Sequence, residues 1–138
     1  MTIGPEVAVG GVAVVDGRLL LVRRGHGPAA GSWSVPGGRV HLGESLHEAV
    51  VRELAEETGL QVAVESFLGW VERLDVDDGQ PSHFVILDFA VAPLEPGAEP
   101  NAGGDAAEAA WVDLADLGDY RLVPGLVEFL VDVGVLPV

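Results

Sequence analysis

Residues 38–60 read GRVHLGESLHEAVVRELAEETGL, and no other stretch of the chain constrains its structure as tightly. Residues 44–58 contain neither glycine nor proline, so the sequence predicts a helix over these positions. Gly43 precedes this helix and Gly59 follows it. A glycine directly after the last turn is typical of a helix that ends in the left-handed conformation.

Three carboxylates of this helix lie where an ordinary amphipathic helix would be apolar. A helical wheel drawn at 100° per residue separates two faces of this helix. The apolar face carries Leu46, Ala49, Val50 and Leu54, and the opposite face carries Glu48, Arg52 and Ala55. Glu53 and Glu57 fall inside the apolar arc and Glu56 lies beside it, although carboxylates normally occupy the polar face. Their i, i+3 and i+4 spacing crowds all three where the helix meets the rest of the fold.

This crowding has two interpretations. Ionisation of neighbouring carboxylates costs free energy when no countercharge is present. Such carboxylates therefore either take up protons or bind a cation. Oxygen ligands in a chain without cysteine favour Mg²⁺ or Mn²⁺ over zinc. The alternative is a solvated acidic helix end, with Glu48–Arg52 and Arg52–Glu56 ion pairs on its surface.

The surrounding residues favour the metal site, because the stretch resembles the Nudix box, G-x5-E-x7-R-E-U-x-E-E-x-G-U, where U is a bulky aliphatic residue. Every fixed position is matched, by Gly38, Glu44, Arg52, Glu53, Leu54, Glu56, Glu57, Gly59 and Leu60. The hairpin before the box, the WSVPGG approach to it and the strands after it also resemble this family. The resemblance to Nudix hydrolases therefore covers nearly the whole chain and implies a single domain over residues 1–138.

The resemblance implies a role for each matched residue. The side chains of Glu53, Glu56 and Glu57, with the main-chain carbonyl of Gly38, would hold Mg²⁺ or Mn²⁺. Arg52 would brace these carboxylates by hydrogen bonding, and Glu44 would support the box from the start of the helix.

The same resemblance leaves the general base open. An activated water attacks one phosphorus of a diphosphate in this family, and the group that activates it varies. The base here is either Glu53 or an acid outside the box, and Glu108 in the segment GGDAAEAAWV is the outside candidate. Glu108 could equally be an additional metal ligand.

Arg23, Arg24 and His83 are candidate substrate-binding residues. The two arginines end an apolar run, RLLLVRR, and guanidinium groups bind phosphate in a fork. Alternation along a strand places them on opposite faces, so we expect one of them to face the site. His83 begins an apolar strand, where it either contacts substrate, transfers a proton or has a structural role at the strand edge.

Composition narrows the class of protein. The chain has 138 residues, 22 acidic residues against 7 arginines and no cysteine, and its net charge is −15. This charge opposes binding to a nucleic-acid polymer. No apolar run reaches the ~18 residues of a membrane span, and the first residues lack the basic start of a signal peptide, so we expect a cytoplasmic protein without membrane contact.

The predicted order of elements is β-β-β-α-β-β-α. With the resemblance, this order implies an α/β Nudix fold: an α/β/α sandwich with a mixed, curved sheet, the box helix on one side and a C-terminal helix over residues 124–133 on another. The implied function is metal-dependent hydrolysis of a nucleoside diphosphate linked to another moiety, with ADP-ribose as the best single substrate and a homodimer possible. The alternatives are a sanitising nucleoside triphosphate pyrophosphatase and a non-catalytic nucleotide-sensing domain.

Overall fold

The computed structural model describes residues 4–27, 29–77 and 79–138. Its elements are β1 (Glu6–Val12), β2 (Val14–Val15), β3 (Arg18–Arg24), β4 (Trp33–Ser34), β5 (Gly37–Arg39), α1 (Leu46–Thr58), β6 (Val62–Asp77), β7 (Gln80–Pro93), β8 (Ala106–Asp113), a 3₁₀ helix (Leu114–Asp119) and α2 (Leu126–Asp132). Within these ranges, no helix is long and apolar enough to cross a membrane.

The strands form two sheets, and the first is mixed as predicted. Its order is β5-β1-β7-β6, with β1 parallel to β7 and the other two pairs antiparallel. In the second sheet, β3 pairs antiparallel with β2, β4 and β8. The hairpin predicted before the box is confirmed, because Val15 pairs with Arg18 across the Asp16-Gly17 turn.

Alternation along β3 divides the core into two clusters, each covered by one helix. Leu20 packs in a cluster with Leu54 of α1. Leu19 and Leu21 point the other way and pack in a cluster with Leu130 of α2. The five leucines of the two clusters named here are fully buried. Burial of each contributes about 1.5–3 kcal/mol of transfer free energy. The mixed α/β class is thereby confirmed.

The first turn of α1 begins two residues later than predicted. Ser45 is the N-cap: its Oγ accepts a hydrogen bond from the N–H of Glu48 at 3.1 Å, and the Glu48 carboxylate accepts one from the N–H of Ser45 at 2.9 Å. Glu44 therefore lies before the helix, and Glu48 serves the cap instead of pairing with Arg52. Leu46, predicted on the buried face, is 36% exposed because it opens the first turn.

Ser45→Ala should lower the free energy of unfolding by about 1 kcal/mol, because it removes the acceptor for the N–H of Glu48. Urea titration followed by circular dichroism measures the loss. Ser66→Ala is the matched control, since Ser66 is exposed on β6 and lies outside any helix. An equal loss in the two variants would mean that the capping box contributes nothing specific.

Other boundaries depend on pairing or on backbone conformation. The end of α1 is confirmed, because Gly59 adopts the left-handed conformation at φ 72°. β5 was not predicted, since Pro-Gly-Gly is typical of a turn, but its pairing with β1 makes it a strand. α2 begins after Gly125, which has φ 87°, so Pro124 precedes the helix and does not lie in its first turn.

Candidate metal and phosphate site

One guanidinium joins three segments at this site. Arg52 of α1 donates from Nε and Nη2 to the Glu44 carboxylate at 2.6 and 3.0 Å, and from Nη1 to Glu53 at 2.7 Å. Its Nη2 also donates to the carbonyl oxygen of Arg39 at 2.9 Å. The chain before the helix, the helix itself and β5 are therefore held in register by a single side chain.

Glu44 is strongly stabilised in its ionised form by these contacts. Hydrogen bonds from Arg52, and then from the backbone N–H of His41, lower the pKa of Glu44 from 4.5 to about 2. A carboxyl whose pKa is lower in the folded state stabilises the fold above its unfolded pKa. This contribution is lost as the pH falls from about 4.5 toward 2, so the ion pair is intact at neutral pH.

The carboxylates of Glu53 and Glu57 lie against two consecutive glycines of β5. A Cβ on Gly38 would lie 2.6 Å from the Glu53 carboxylate, so a side chain there would displace this carboxylate. Glu57 accepts a hydrogen bond from the N–H of Gly37 at 2.7 Å. Successive turns of α1 thus place two carboxylates beside the same strand.

The surroundings of Glu57 perturb its pKa. Burial, which is the largest cause, and the charges of Glu53 and Asp105 together raise the pKa of Glu57 from 4.5 to about 7. The Gly37 N–H and the charge of Arg24 act in the opposite direction. A half-buried carboxylate beside other carboxylates favours a bound cation, which would supply the missing countercharge.

The third box carboxylate does not join the other two in this conformation. Glu56 is half exposed and contacts Arg52 at 3.3 Å, which is one of the two ion pairs of the acidic-surface interpretation. Within residues 4–27, 29–77 and 79–138, no three carboxylate or imidazole groups converge into a ready-made metal site. Glu53 and Glu57 instead point to Arg52 and Gly37, respectively. The donors still fit Mg²⁺ or Mn²⁺, because they are hard oxygens grouped at a cradle that only glycine allows.

The two candidate arginines occupy different environments. Arg23 pairs across the strands with Glu108, with Nη2 and Oε1 2.8 Å apart. The Nε of Arg24 is buried and has no hydrogen-bond partner among the described residues. Because the charge of Arg24 acts on Glu57, Arg24 is the arginine that faces the carboxylates. An unpartnered buried guanidinium N–H is suited to donate a hydrogen bond to an anionic oxygen.

The loop before β8 brings a carboxylate toward Glu57 that the sequence analysis missed. Gly103 donates to the carbonyl oxygen of Glu57 at 3.2 Å, and a Cβ on Gly103 would lie 2.6 Å from the carbonyl oxygen of Glu56. This close approach places Asp105 near Glu57. The sequence feature that could have predicted this approach is the glycine pair before Asp105, because glycines allow two main-chain segments to come close together. Glu108, the acid singled out from this segment, is 56% exposed beside Arg23.

His83 lies in β7 and hydrogen-bonds Glu72 of β6 at 2.5 Å. Among the described residues, the hydrogen bonds do not connect His83 with α1. The structure therefore does not bring His83 together with the box carboxylates, whereas it does bring Arg24, Arg52 and Gly38 to them.

Comparison with known proteins places this geometry in context. A family model described as NUDIX domain matches residues 4–133. ADP-ribose pyrophosphatase of Methanocaldococcus jannaschii is 42% identical over 113 residues, which cover 82% of this chain and 64% of that protein. "Putative 8-oxo-dGTP diphosphatase 2" of Mycobacterium tuberculosis is 36% identical over 120 residues, 86% of this chain and 81% of that protein. The crystal structure of MutT NUDIX hydrolase from Burkholderia pseudomallei is 32% identical with a TM-score of 0.77, and the match covers 93% of this chain and 97% of that one. The chain thus spans less than two thirds of the length of the first of these relatives.

Proposed function

This chain belongs to the NUDIX domain family, and from that premise we propose that it is a metal-dependent hydrolase that cleaves a nucleoside diphosphate linked to another moiety. The proposed substrate is ADP-ribose, cleaved to AMP and ribose 5-phosphate. The observation that carries the proposal is the pairing of Glu53 and Glu57 with the Gly37-Gly38 cradle, next to the unpartnered Nε of Arg24. The M. jannaschii relative, named an ADP-ribose pyrophosphatase, supports the choice of substrate.

The proposed function assigns metal binding and phosphate binding to different residues. Glu53, Glu56 and Glu57, with the carbonyl of Gly38, would hold Mg²⁺ or Mn²⁺. When bound, the ion neutralises the diphosphate oxygens and polarises the phosphorus. Arg24 donates its free Nε–H to a phosphate oxygen.

Two further residues position the acids, and one acid accepts a proton. Arg52 fixes the orientation of Glu53, and Glu44 in turn fixes Arg52. Glu53 takes the proton of the attacking water as the P–O bond of the leaving phosphate breaks. Glu53 is favoured as the base because its side chain lies on α1 among the proposed metal ligands and is only 12% exposed, whereas the Glu108 side chain is 56% exposed.

A second candidate function is the hydrolysis of nucleoside triphosphates, which the M. tuberculosis relative supports through its name. A third, a domain that senses nucleotides without catalysis, is disfavoured because every glutamate of the box is present. In each case the partner is a small nucleotide and not a nucleic-acid polymer, given the net charge of −15. Homodimer formation and a cytoplasmic location remain predictions.

A hydrolysis screen with product identification separates these functions. ADP-ribose, dinucleoside polyphosphates, nucleotide sugars and nucleoside triphosphates are each incubated with the protein and Mg²⁺. Formation of AMP and ribose 5-phosphate from ADP-ribose supports the proposal. Preferential release of pyrophosphate from a triphosphate supports the second function, and nucleotide binding without any product supports the third.

Mg²⁺ should raise the melting temperature, and by more at pH 8 than at pH 6. A ligand that binds only the folded state stabilises it, by about 2.7 kcal/mol at a concentration of 100 Kd. The pH dependence follows because the pKa of Glu57 is raised to about 7, so that protons compete with the metal below that pH. Differential scanning fluorimetry with and without millimolar Mg²⁺ measures the shift.

The control for this experiment is the double variant Glu56→Gln, Glu57→Gln, which removes two of the proposed ligands. It should show little response to Mg²⁺ at either pH. A response equal to that of the wild type would place the Mg²⁺ site elsewhere on this acidic protein.

A further inference from the structure

Asp88 occupies an unusual position in the first sheet. The strand register places four residues in one row across the sheet: Gly37 of β5, Gly10 of β1, Asp88 of β7 and Gly69 of β6. Asp88 is the one member of this row with a side chain, and it is 4% exposed. An aspartate is therefore buried in a row whose other three members, Gly37, Gly10 and Gly69, are glycines; we call this row the glycine strip.

One oxygen of the Asp88 carboxylate is buried away from any hydrogen-bond donor of the described residues. This oxygen is Oδ1, and a Cβ on Gly10 would collide with it. Burial raises the pKa of Asp88 from 3.8 to about 6, against the effect of the Arg73 charge. A buried unpaired acceptor is costly, and such groups in native proteins call for an explanation.

The carboxylate lies on the face of the sheet opposite α1. A Cβ on Gly11 would lie 2.7 Å from Leu54 of α1, so Gly11 faces that helix. Successive residues of a strand point to opposite faces. Gly10, and Asp88 paired beside it, therefore face away from α1.

The row of residues begins beside the candidate site. Gly37, at the outer end of the row, donates the hydrogen bond that holds Glu57. Since neighbouring strands are ~4.8 Å apart, Asp88 lies about 10 Å from Gly37, with only Gly10 between them. A ligand whose diphosphate lies at Glu57 would meet no side chain of this row before Asp88. Val35 is the neighbouring side chain at the strip, 3.4 Å from a Cβ built on Gly10.

We propose that Asp88 is a specificity-determining residue that accepts a hydrogen bond from the nucleoside half of the substrate. The inference rests on the proposed function, because it takes the diphosphate to lie at Glu53 and Glu57. A carboxylate repels phosphate, so the group that meets Asp88 is the uncharged part of the substrate. The donor is either an amino group of the base or a hydroxyl of its ribose, since both present a polar hydrogen to a carboxylate.

Steady-state kinetics with matched analogues tests this inference. The wild type, Asp88→Ala and Asp88→Asn are each assayed with ADP-ribose, with its hypoxanthine analogue, which lacks the amino group, and with analogues lacking the 2′- or 3′-hydroxyl of the adenosine. Asp113→Asn is the control, because Asp113 is an exposed aspartate at the end of β8. Melting temperatures are measured for all four proteins.

The wild type should lose roughly 10- to 100-fold in kcat/KM on the analogue that lacks the recognised donor. Asp88→Ala should lose a similar factor on ADP-ribose, mainly through KM, and should no longer distinguish that analogue from ADP-ribose. Asp88→Asn, which keeps one acceptor oxygen, should lie between them, and Asp113→Asn should match the wild type. The analogue that the wild type rejects identifies the donor as base or sugar.

Two results would overturn the inference. One is a wild type that treats all analogues alike, a measurement that does not depend on any variant folding. The other is an Asp88→Ala enzyme that keeps the preferences of the wild type. Activity of the wild type on ADP-ribose tests the proposed function separately, so hydrolysis without discrimination refutes the role of Asp88 alone, and absence of hydrolysis refutes both.

Discussion

Glu57→Gln should lower kcat by roughly 10²–10⁴-fold at saturating Mg²⁺ and substrate. The amide keeps the size of the side chain and can still accept the hydrogen bond from the N–H of Gly37. What it loses is the negative charge proposed to face the metal, and with it part of the stabilisation of the transition state. Initial rates with ADP-ribose over a range of Mg²⁺ concentrations measure the effect and separate it from weaker metal binding.

Stability provides the control for this variant. Because burial raises the pKa of Glu57 to about 7, its ionised form weakens the metal-free fold above that pH. Glu57→Gln should therefore melt at the same or a higher temperature than the wild type at pH 8 without Mg²⁺. Glu65→Gln makes the same chemical change at an exposed position of β6 and should leave both properties unchanged. A kcat within tenfold of the wild type would exclude Glu57 from the proposed metal site.

Glu53→Gln should cause the second large loss and should also flatten the acidic limb of the pH–rate profile. If Glu53 takes the proton of the attacking water, the amide variant has no group that titrates in that role. Glu108→Gln should cost about tenfold or less, since Glu108 is mostly exposed and bound by Arg23. Both pH–rate profiles are measured between pH 5 and 9 with the same substrate.

The contrast between these two variants identifies the base. A Glu53→Gln enzyme with near-normal kcat and an unchanged profile would refute the choice of Glu53. A loss in Glu108→Gln that approaches that of Glu57→Gln would favour the acid outside the box. Asp105→Asn belongs in the same series, because Asp105 is the carboxylate of that loop whose charge reaches Glu57.

The sequence by itself determined those features that depend on neighbours along the chain. The helix predicted over residues 44–58, which the structure has at 46–58, follows from a run without glycine or proline that ends before Gly59. The β2–β3 hairpin follows from Asp16-Gly17 for the same local reason. The i, i+3, i+4 spacing of Glu53, Glu56 and Glu57 likewise places them on one side of α1 before any packing is known.

Only the tertiary structure decided which residues from distant segments meet those carboxylates. Gly37 became part of a strand because β1 lies beside it, and Asp105 approaches Glu57 because its loop packs on the end of α1. The different environments of Arg23 and Arg24 depend on β8, whose Glu108 engages one of them. Asp88 gave no signal in an apolar run, since its isolation comes from glycines on three other strands. Strand register is set by contacts between residues far apart in sequence, so no local pattern encodes it.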